Sequence, residues 1–238
     1  MTRRPDGPDP ETVRAMFGSI AHRYDRANTV LSGGVHHVWR RRLVRWSGAR
    51  AGERVLDCAT GTGDLAIAFA RAVGPSGSVV GTDFSAEMLA PAPAKAERAR
   101  VIVRFEQADV TALPYPDSSF DVASIAFGIR NVADRVAGLR EMARVVRPGG
   151  RVMVLEFGQP SVPGFRPLYN LYSRKVLPII GGVLTGNRRA YDYLDKSAGA
   201  FPCGDAFVAL MRETGAFDAI EHRAYTGGIA YAYRGVVR

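Results

Sequence analysis

Between Val55 and Asp64 the chain reads Val-Leu-Asp-Cys-Ala-Thr-Gly-Thr-Gly-Asp, and the next apolar run ends on the acid Asp83. An apolar run, a Gly-rich turn, a helix-length segment from Leu65 to Val73 and a second run closing on a carboxylate make a strand, a tight corner, a helix and another strand. Gly61 and Gly63 lack a Cβ, so bare backbone at the corner can approach a ligand, and Asp83 is placed to reach ribose hydroxyls. The stretch Gly61-Thr-Gly63-Asp-Leu-Ala66 also fits the dinucleotide fingerprint, with its acid about 20 residues on. Charge argues against a dinucleotide. Asp57 closes the strand and Asp64 opens the helix, so two carboxylates flank the place a pyrophosphate would occupy. A ligand with a ribose, a cationic amino-acid portion and no phosphate fits better, and S-adenosylmethionine, with its ammonium and sulfonium, meets that description. The plain alternative is an ordinary strand-turn-helix corner.

Further on, β-branched apolar runs alternate with helix-length segments, the pattern of an α/β fold with helices on both faces of a mostly parallel sheet. The runs predict strands near Arg54 to Cys58, Ser78 to Thr82, Val101 to Ala108, Asp121 to Ala126 and Arg151 to Phe157, with helices starting near Asp64, Ser85 and Val132. Pro91 and Pro93 are expected to kink or shorten the helix that Ser85 caps. The two runs around Thr226-Gly227-Gly228 predict a closing antiparallel hairpin. A chain of 238 residues with no second composition regime reads as one domain. Its expected parts are a disordered start (1–10), an N-terminal helical cover (11–50), a cofactor-binding core (51–157), an inserted substrate cap (158–200) and a C-terminal helix with hairpin (201–238).

The net charge is +9, carried almost wholly by arginine, since Lys95, Lys175 and Lys196 are the only lysines. Such an excess suits anionic membrane surfaces or nucleic acid. Dispersed arginines, with no Asn/Asp-Pro-Pro-aromatic motif, argue against a nucleic-acid partner. Cys58 and Cys203 form no C-x-x-C pair and the four histidines lack zinc spacing, so no metal and a reducing cytoplasm are expected. The polar start has no signal-peptide core, and no apolar run has the length of a membrane span. The segment Leu177-Pro-Ile-Ile-Gly-Gly-Val-Leu184, flanked by Arg174, Lys175, Arg188 and Arg189, has two readings: an interfacial patch at the inner face of a membrane, or the core of the cap.

Several separate stretches narrow the reading. They are Met16-Phe-Gly-Ser-Ile-Ala-His-Arg-Tyr-Asp25 with Asn28, Leu31-Ser-Gly-Gly-Val-His36 with Trp39-Arg40, the Gly loop, Phe127-Gly-Ile-Arg-Asn131, Glu156-Phe157, Tyr191-Asp-Tyr-Leu194 with Ser197, and Gly227-Gly-Ile229. In these stretches, from about Val13 to Arg238, the chain resembles the C-methyltransferases of menaquinone and ubiquinone biosynthesis, a branch of the class I S-adenosylmethionine-dependent methyltransferases. The resemblance implies a Rossmann-like, seven-stranded, mostly parallel sheet with an antiparallel C-terminal strand. It further implies that Thr62 contacts the methionine end of the cofactor, that Asp83 takes the ribose, and that Asp109 and Val110 lie beside the adenine. Asp57, Gly61 and Gly63 complete the expected cofactor set. Ala126 stands where some relatives have a serine and is left out of it.

A substrate of that class is a polyprenyl quinol, most specifically 2-demethylmenaquinol, and its chemistry sets the demands on the site. A quinone ring is electron-poor, whereas a reduced ring is nucleophilic at carbon ortho to a hydroxyl, above all as its phenolate. A free phenol ionises near 10, so the protein must supply a base, a water relay or a cation. Arg130 is the leading candidate to stabilise the phenolate, with Asn131 orienting a water or hydroxyl, and Tyr24 and His36 as candidates for a proton relay. Each has a structural alternative: Arg130 and Asn131 as caps of a helix starting near Val132, Tyr24 and His36 as packed core residues. Trp39, Phe127 and Tyr172 read as walls. The sequence leaves open a naphthoquinol or benzoquinol ring, and the oligomeric state, a homodimer included.

Overall fold

The computed structural model describes residues 8–160 and 164–238, so most of the expected disordered start lies outside the described residues. Three helices open the chain: α1 (Pro10–Gly18), α2 (Ala21–Leu31) and α3 (Val35–Ser47). Asp9 starts α1 by accepting from the Thr12 backbone N–H, with Pro10 in the first turn where its missing donor is not needed. The core alternates β1 (Arg54–Cys58), α4 (Asp64–Val73), β2 (Ser78–Asp83), α5 (Ala86–Leu89), α6 (Ala92–Arg98), β3 (Arg104–Gln107), β4 (Phe120–Ala126), α7 (Arg135–Arg144) and β5 (Val146–Phe157). The cap comprises α8 (Phe165–Leu171), a π-helical turn at Tyr172–Val176, α9 (Leu177–Thr185) and α10 (Arg188–Ala200). Helix α11 (Asp205–Glu213) and the hairpin β6 (Phe217–Tyr225) and β7 (Ala230–Val237) close the fold.

One seven-stranded sheet runs in the order β3-β2-β1-β4-β5-β7-β6. The first five strands are parallel and β7 is antiparallel to both its neighbours. The parallel core is what the alternation predicts, and the Rossmann-like, seven-stranded sheet with its antiparallel end is what the resemblance implies. Strand β1 registers Val55 against Val79 on one side and Val122 on the other, and residues on both faces of β1 are buried, as a sheet covered by two helical layers requires. The chain order reverses between β1 and β4, so the carboxyl ends of those strands open a crevice. Asp83 ends β2, Asp109 follows β3, and Phe127 follows β4; all three face that crevice.

Three predicted boundaries shift, the first being that of β5, which begins at Val146 and not at the expected Arg151. The helix expected near Val132 starts at Arg135, where the Asp134 side chain accepts from the Ala137 N–H; Ile129–Asn131 forms only a short 3-10 turn. Arg130 and Asn131 are therefore not the caps of that helix. Strand β3 is shorter than the Val101 to Ala108 run, because Arg100 takes a left-handed conformation and only Arg104–Gln107 finds a partner, on β2.

Candidate active site

The Gly loop is built around two carboxylates. Asp57, 1% exposed, accepts from the Ser124 hydroxyl at 2.7 Å and the Thr60 hydroxyl at 2.6 Å, pinning the loop to β1 and β4. Burial pushes its carboxyl up to about 6, against the pull of those hydroxyls. Asp83 accepts from the Gly61 N–H at 2.8 Å through one oxygen and from the Ser85 N–H at 2.9 Å through the other. The Phe84 N–H also bears on this carboxylate, and burial raises it as well. Gly63 sits at φ 86°, and a Cβ there would press on the Phe105 ring at 3.0 Å, so the corner requires glycine.

Above this loop lies a cavity of about 190 Å³, lined by Gly61, Thr62, Asp83, Asp109, Val110, Ala126 and Asn131 among others. Of the expected cofactor set, Gly61, Thr62, Asp83, Asp109 and Val110 are on its wall. Asp57 and Gly63 are not: both lie beneath the loop, where they shape it. The wall suits a ribosyl ligand, with two carboxylates for hydroxyl or amine donors, Asp83 and Asp109, and apolar Phe84, Met88 and Val110 beside them. Asp109 spends one oxygen on the backbone and hydroxyl of Thr111, which fixes its rotamer.

A second, more apolar cavity of about 440 Å³ adjoins the first, sharing Phe17, Tyr24, Arg40 and Phe127 with it. Its other walls come from the cover (Ile20, Leu31, Trp39), the cap (Tyr169, Tyr172, Tyr191) and Ile229 of the C-terminal hairpin. Trp39, Phe127 and Phe157 pack together there, with Phe127 and Phe157 centroids 4.6 Å apart. Phe127 holds a left-handed backbone at φ 58°, a conformation that costs energy for a residue with a Cβ and marks the junction between the cavities.

Four residues expected at the reaction centre occupy this region in different ways. Arg130, 2% exposed, lies on the apolar cavity's wall, but its Nη1 is 2.7 Å from Glu156 Oε1 and also donates to the Phe127 carbonyl at 2.5 Å, while its Nε is buried without a partner. Glu156, fully buried, further accepts from the Phe157 N–H at 2.9 Å. Asn131 faces the cofactor cavity and accepts from the Tyr193 hydroxyl at 3.0 Å. Tyr24 lines both cavities. His36 is buried on the apolar cavity's wall, where burial, followed by the charge of Arg40, pushes its imidazole down to about 3. Arg40 can only donate, so His36 Nδ1 accepts from it and the proton resides on Nε2, 3.4 Å from the Thr29 hydroxyl. With both nitrogens so engaged, His36 holds Arg40 rather than offering a free base.

Residues outside the expected site set complete the site. Asp25 of α2 accepts from the Thr62 hydroxyl and from Lys95, each at 2.5 Å, and Lys95 also reaches Asp64 at 2.5 Å. Arg40 is 3.7 Å from Asp64 and its guanidinium carbon is 5.2 Å from the Phe127 ring centre. His36, His37 and Asp64 bring potential ligand atoms within 4.8 Å of one another, but Arg40 and Lys95 already supply the positive charge beside Asp64.

The model of the ubiE/COQ5 methyltransferase family matches residues 7–237. Among similar proteins, the ubiquinone/menaquinone biosynthesis C-methyltransferase UbiE of Bdellovibrio bacteriovorus is 60% identical over 97% of this chain and 98% of its own. Its counterpart from Geobacter sp. strain M21 is 46% identical over 94% and 96%. Solved structures share the fold at lower identity. A SAM-dependent methyltransferase of Thermotoga maritima superposes with a TM-score of 0.66 at 18% identity, covering 94% of this chain and 99% of its own. One from Aquifex aeolicus gives 0.58 at 18% identity over 84% and 89%.

Proposed function

Because the chain belongs to the ubiE/COQ5 methyltransferase family, and so is a methyltransferase that uses S-adenosylmethionine, we propose that it methylates a polyprenylated demethylquinol at ring carbon, 2-demethylmenaquinol being converted to menaquinol. The observation that carries this reading is the pair of adjoining cavities: a polar one over the Gly loop and a larger apolar one, meeting at Tyr24, Arg40 and Phe127. A hydrophobic quinol fits the second chamber, and its ring can meet a methyl donor held in the first. C-methylation of a benzoquinol in ubiquinone biosynthesis is the second reading, favoured by the paired pathway names of the relatives.

In this reading Asp83 binds the ribose, Thr62 the methionine end, and Asp109 with Val110 the adenine. When bound, S-adenosylmethionine supplies an electrophilic methyl on a positively charged sulfur. The protein's own tasks are to hold the ring carbon in line, exclude bulk water and favour the ionised hydroxyl. With the cofactor bound, the phenolic proton would pass to water, the ring carbon would take the methyl as its bond to sulfur breaks and the neutral thioether leaves, and that carbon's hydrogen would move to the ring oxygen as aromaticity returns. One proton is released per methyl gained. Trp39, Phe127 and Phe157 wall the ring, and Asn131, held by Tyr193, faces the donor side. The exposed apolar face of α9, at the rim of the cap, is the surface by which the enzyme would draw a prenylated substrate from a membrane.

The test incubates purified protein with isotopically labelled S-adenosylmethionine and dithionite-reduced or air-oxidised demethylmenaquinone and demethyl benzoquinone. Mass spectrometry should find a methylated naphthoquinol from the reduced sample alone. Equal yields from the oxidised ring would overturn the mechanism, and product from the benzoquinol alone would select the second reading.

A further inference from the structure

Arg40 stands where the two cavities meet and belongs to the wall of both. It is 9% exposed, and three contacts set its position: His36 Nδ1 accepts from it, the Phe127 ring lies 5.2 Å from its guanidinium carbon, and Asp64 is 3.7 Å away. Arg130 differs in a way that matters. Its charge is met at 2.7 Å by the fully buried Glu156, and the same Nη1 also serves the Phe127 carbonyl. Asp64, the carboxylate of Arg40, is farther off and is engaged by Lys95 at 2.5 Å, which makes Arg40 the less compensated cation. Field strength falls with distance and with every counterion in contact, so an anion forming at the junction is drawn to Arg40 more than to Arg130.

We propose that Arg40 is a catalytic residue: its guanidinium donates to the ring oxygen of the quinol at the junction and stabilises the phenolate, while His36 positions it and Arg130 with Glu156 builds the wall. This rests on the quinol reading above. The phenolic proton leaves to water, and Arg40 keeps its own protons throughout. A guanidinium suits the task because it stays charged in a desolvated site and its planar fork can serve His36 and the ring oxygen together.

Arg40 is faced by His36 and His37 of its own helix, Asp64 of α4 and Asp57 of β1, with Lys95 of α6 beside Asp64 and Tyr24 of α2 on the same two walls. Burial holds His36 near 3 and lowers His37, the Arg40 and Lys95 charges lower Asp64 against its burial, and burial raises Asp57 only to about 6. These four keep one charge state above pH 7. Lys95→Gln and Tyr24→Phe serve as controls for the remaining titratable neighbours.

The experiment follows ionisation of a bound, redox-stable prenylated 1-naphthol by absorbance, with S-adenosylhomocysteine present, in wild type, Arg40→Gln, Arg40→Lys and Arg130→Gln. Arg40→Gln should raise the pH of half-ionisation by at least one unit, and Arg40→Lys by less. In parallel, single-turnover methylation of the reduced demethylquinol at neutral pH should fall about 10²–10³-fold in Arg40→Gln, as for loss of one oxyanion donor, and recover at high pH. If Arg40→Gln does not fold by circular dichroism, Arg40→Lys carries the test, because a compact charge without the fork must still move the midpoint. Midpoints unchanged in the Arg40 variants, or moved by Arg130→Gln, Lys95→Gln or Tyr24→Phe instead, would overturn the proposal while leaving wild-type methylation intact. Failure of the wild type to methylate either quinol would overturn the functional reading and this assignment with it.

Discussion

Glu156 shows how much one buried carboxylate can organise. It lies in the apolar run Val152-Met-Val-Leu-Glu-Phe157 of β5, and a charge inside a strand buried on both faces survives only with partners. Arg130 and the Phe157 N–H supply them. Glu156→Ala should cost about 3–5 kcal/mol in denaturant unfolding, because it strands a buried guanidinium, whereas the double change Glu156→Leu with Arg130→Met should cost much less; equal losses would deny the pairing. His36 governs stability in acid. Its folded value near 3 lies below the ordinary 6.5, so between those limits the unfolded chain binds the extra proton and stability falls as pH drops. Asp57 runs the other way, its folded value near 6 costing stability as pH rises from about 4 to 6. Removing His36 should isolate its share: from pH 7.5 to 5 the unfolding free energy of His36→Gln should fall less than that of wild type, by on the order of 2 kcal/mol. A variant as acid-sensitive as wild type would contradict it. Arg130 and Glu156 were each legible from a motif stretch, but they are 26 positions apart and their pairing became visible only when β5 was laid beside β4.

At the level of elements, α9 puts part of its apolar sequence into the core of the cap and leaves part of it exposed. Leu177 and Leu184 pack inward with Ile20, Tyr191 and Leu194, while Ile179 and Val183 are 56% and 80% exposed. Gly181 permits this packing, since a Cβ there would strike the Tyr191 ring at 2.4 Å. Exposed Lys175, Arg188 and Arg189 flank the outer face; the Arg174 side chain lies outside the described residues. No helix among the described residues is long and apolar enough to cross a membrane, so a lipid contact here would be interfacial. Each basic residue near anionic lipid contributes about 1 kcal/mol, which salt weakens. The protein should therefore float with anionic liposomes at low salt, less at high salt, and hardly at all as Ile179→Asp with Val183→Asp; wild type that floats in neither condition would reject the surface. The core strands and the hairpin were legible because alternation and Gly-rich breaks fix them locally. Pro91 and Pro93 likewise foretold the division into α5 and α6. The start of α7 was not, because Asn131 and Asp134 are equally good caps in sequence and only the Tyr193 contact, 62 positions away, takes Asn131 out of competition.

Across the whole molecule, both cavities depend on the N-terminal cover being docked. Helices α1 and α2 give Arg14, Phe17 and Tyr24 to the cofactor cavity and Phe17, Ile20, Asn28 and Leu31 to the apolar one. Asp25 lines neither, yet it joins α2 to the Gly loop through Thr62 and to α6 through Lys95, while Arg14 reaches Glu87 at 3.7 Å. A ligand whose site includes both cover and core binds the docked state better than the open one, and shifts the population by its differential affinity. Bound S-adenosylhomocysteine should therefore slow tryptic cleavage after the exposed Arg23 and Arg26 of α2. Asp25→Asn keeps the shape of the side chain and an acceptor for Thr62 but loses the ion pair with Lys95. If the tie is worth about 1.4 kcal/mol in the closed state, analogue affinity falls about tenfold and protection from trypsin weakens with it. The quinol KM should rise as well, although Asp25 touches neither chamber, because the helix it anchors walls both. Identical cleavage with and without the analogue would show that the cover does not open, and a weakened analogue with an unchanged quinol KM would show that Asp25 acts on the cofactor end alone.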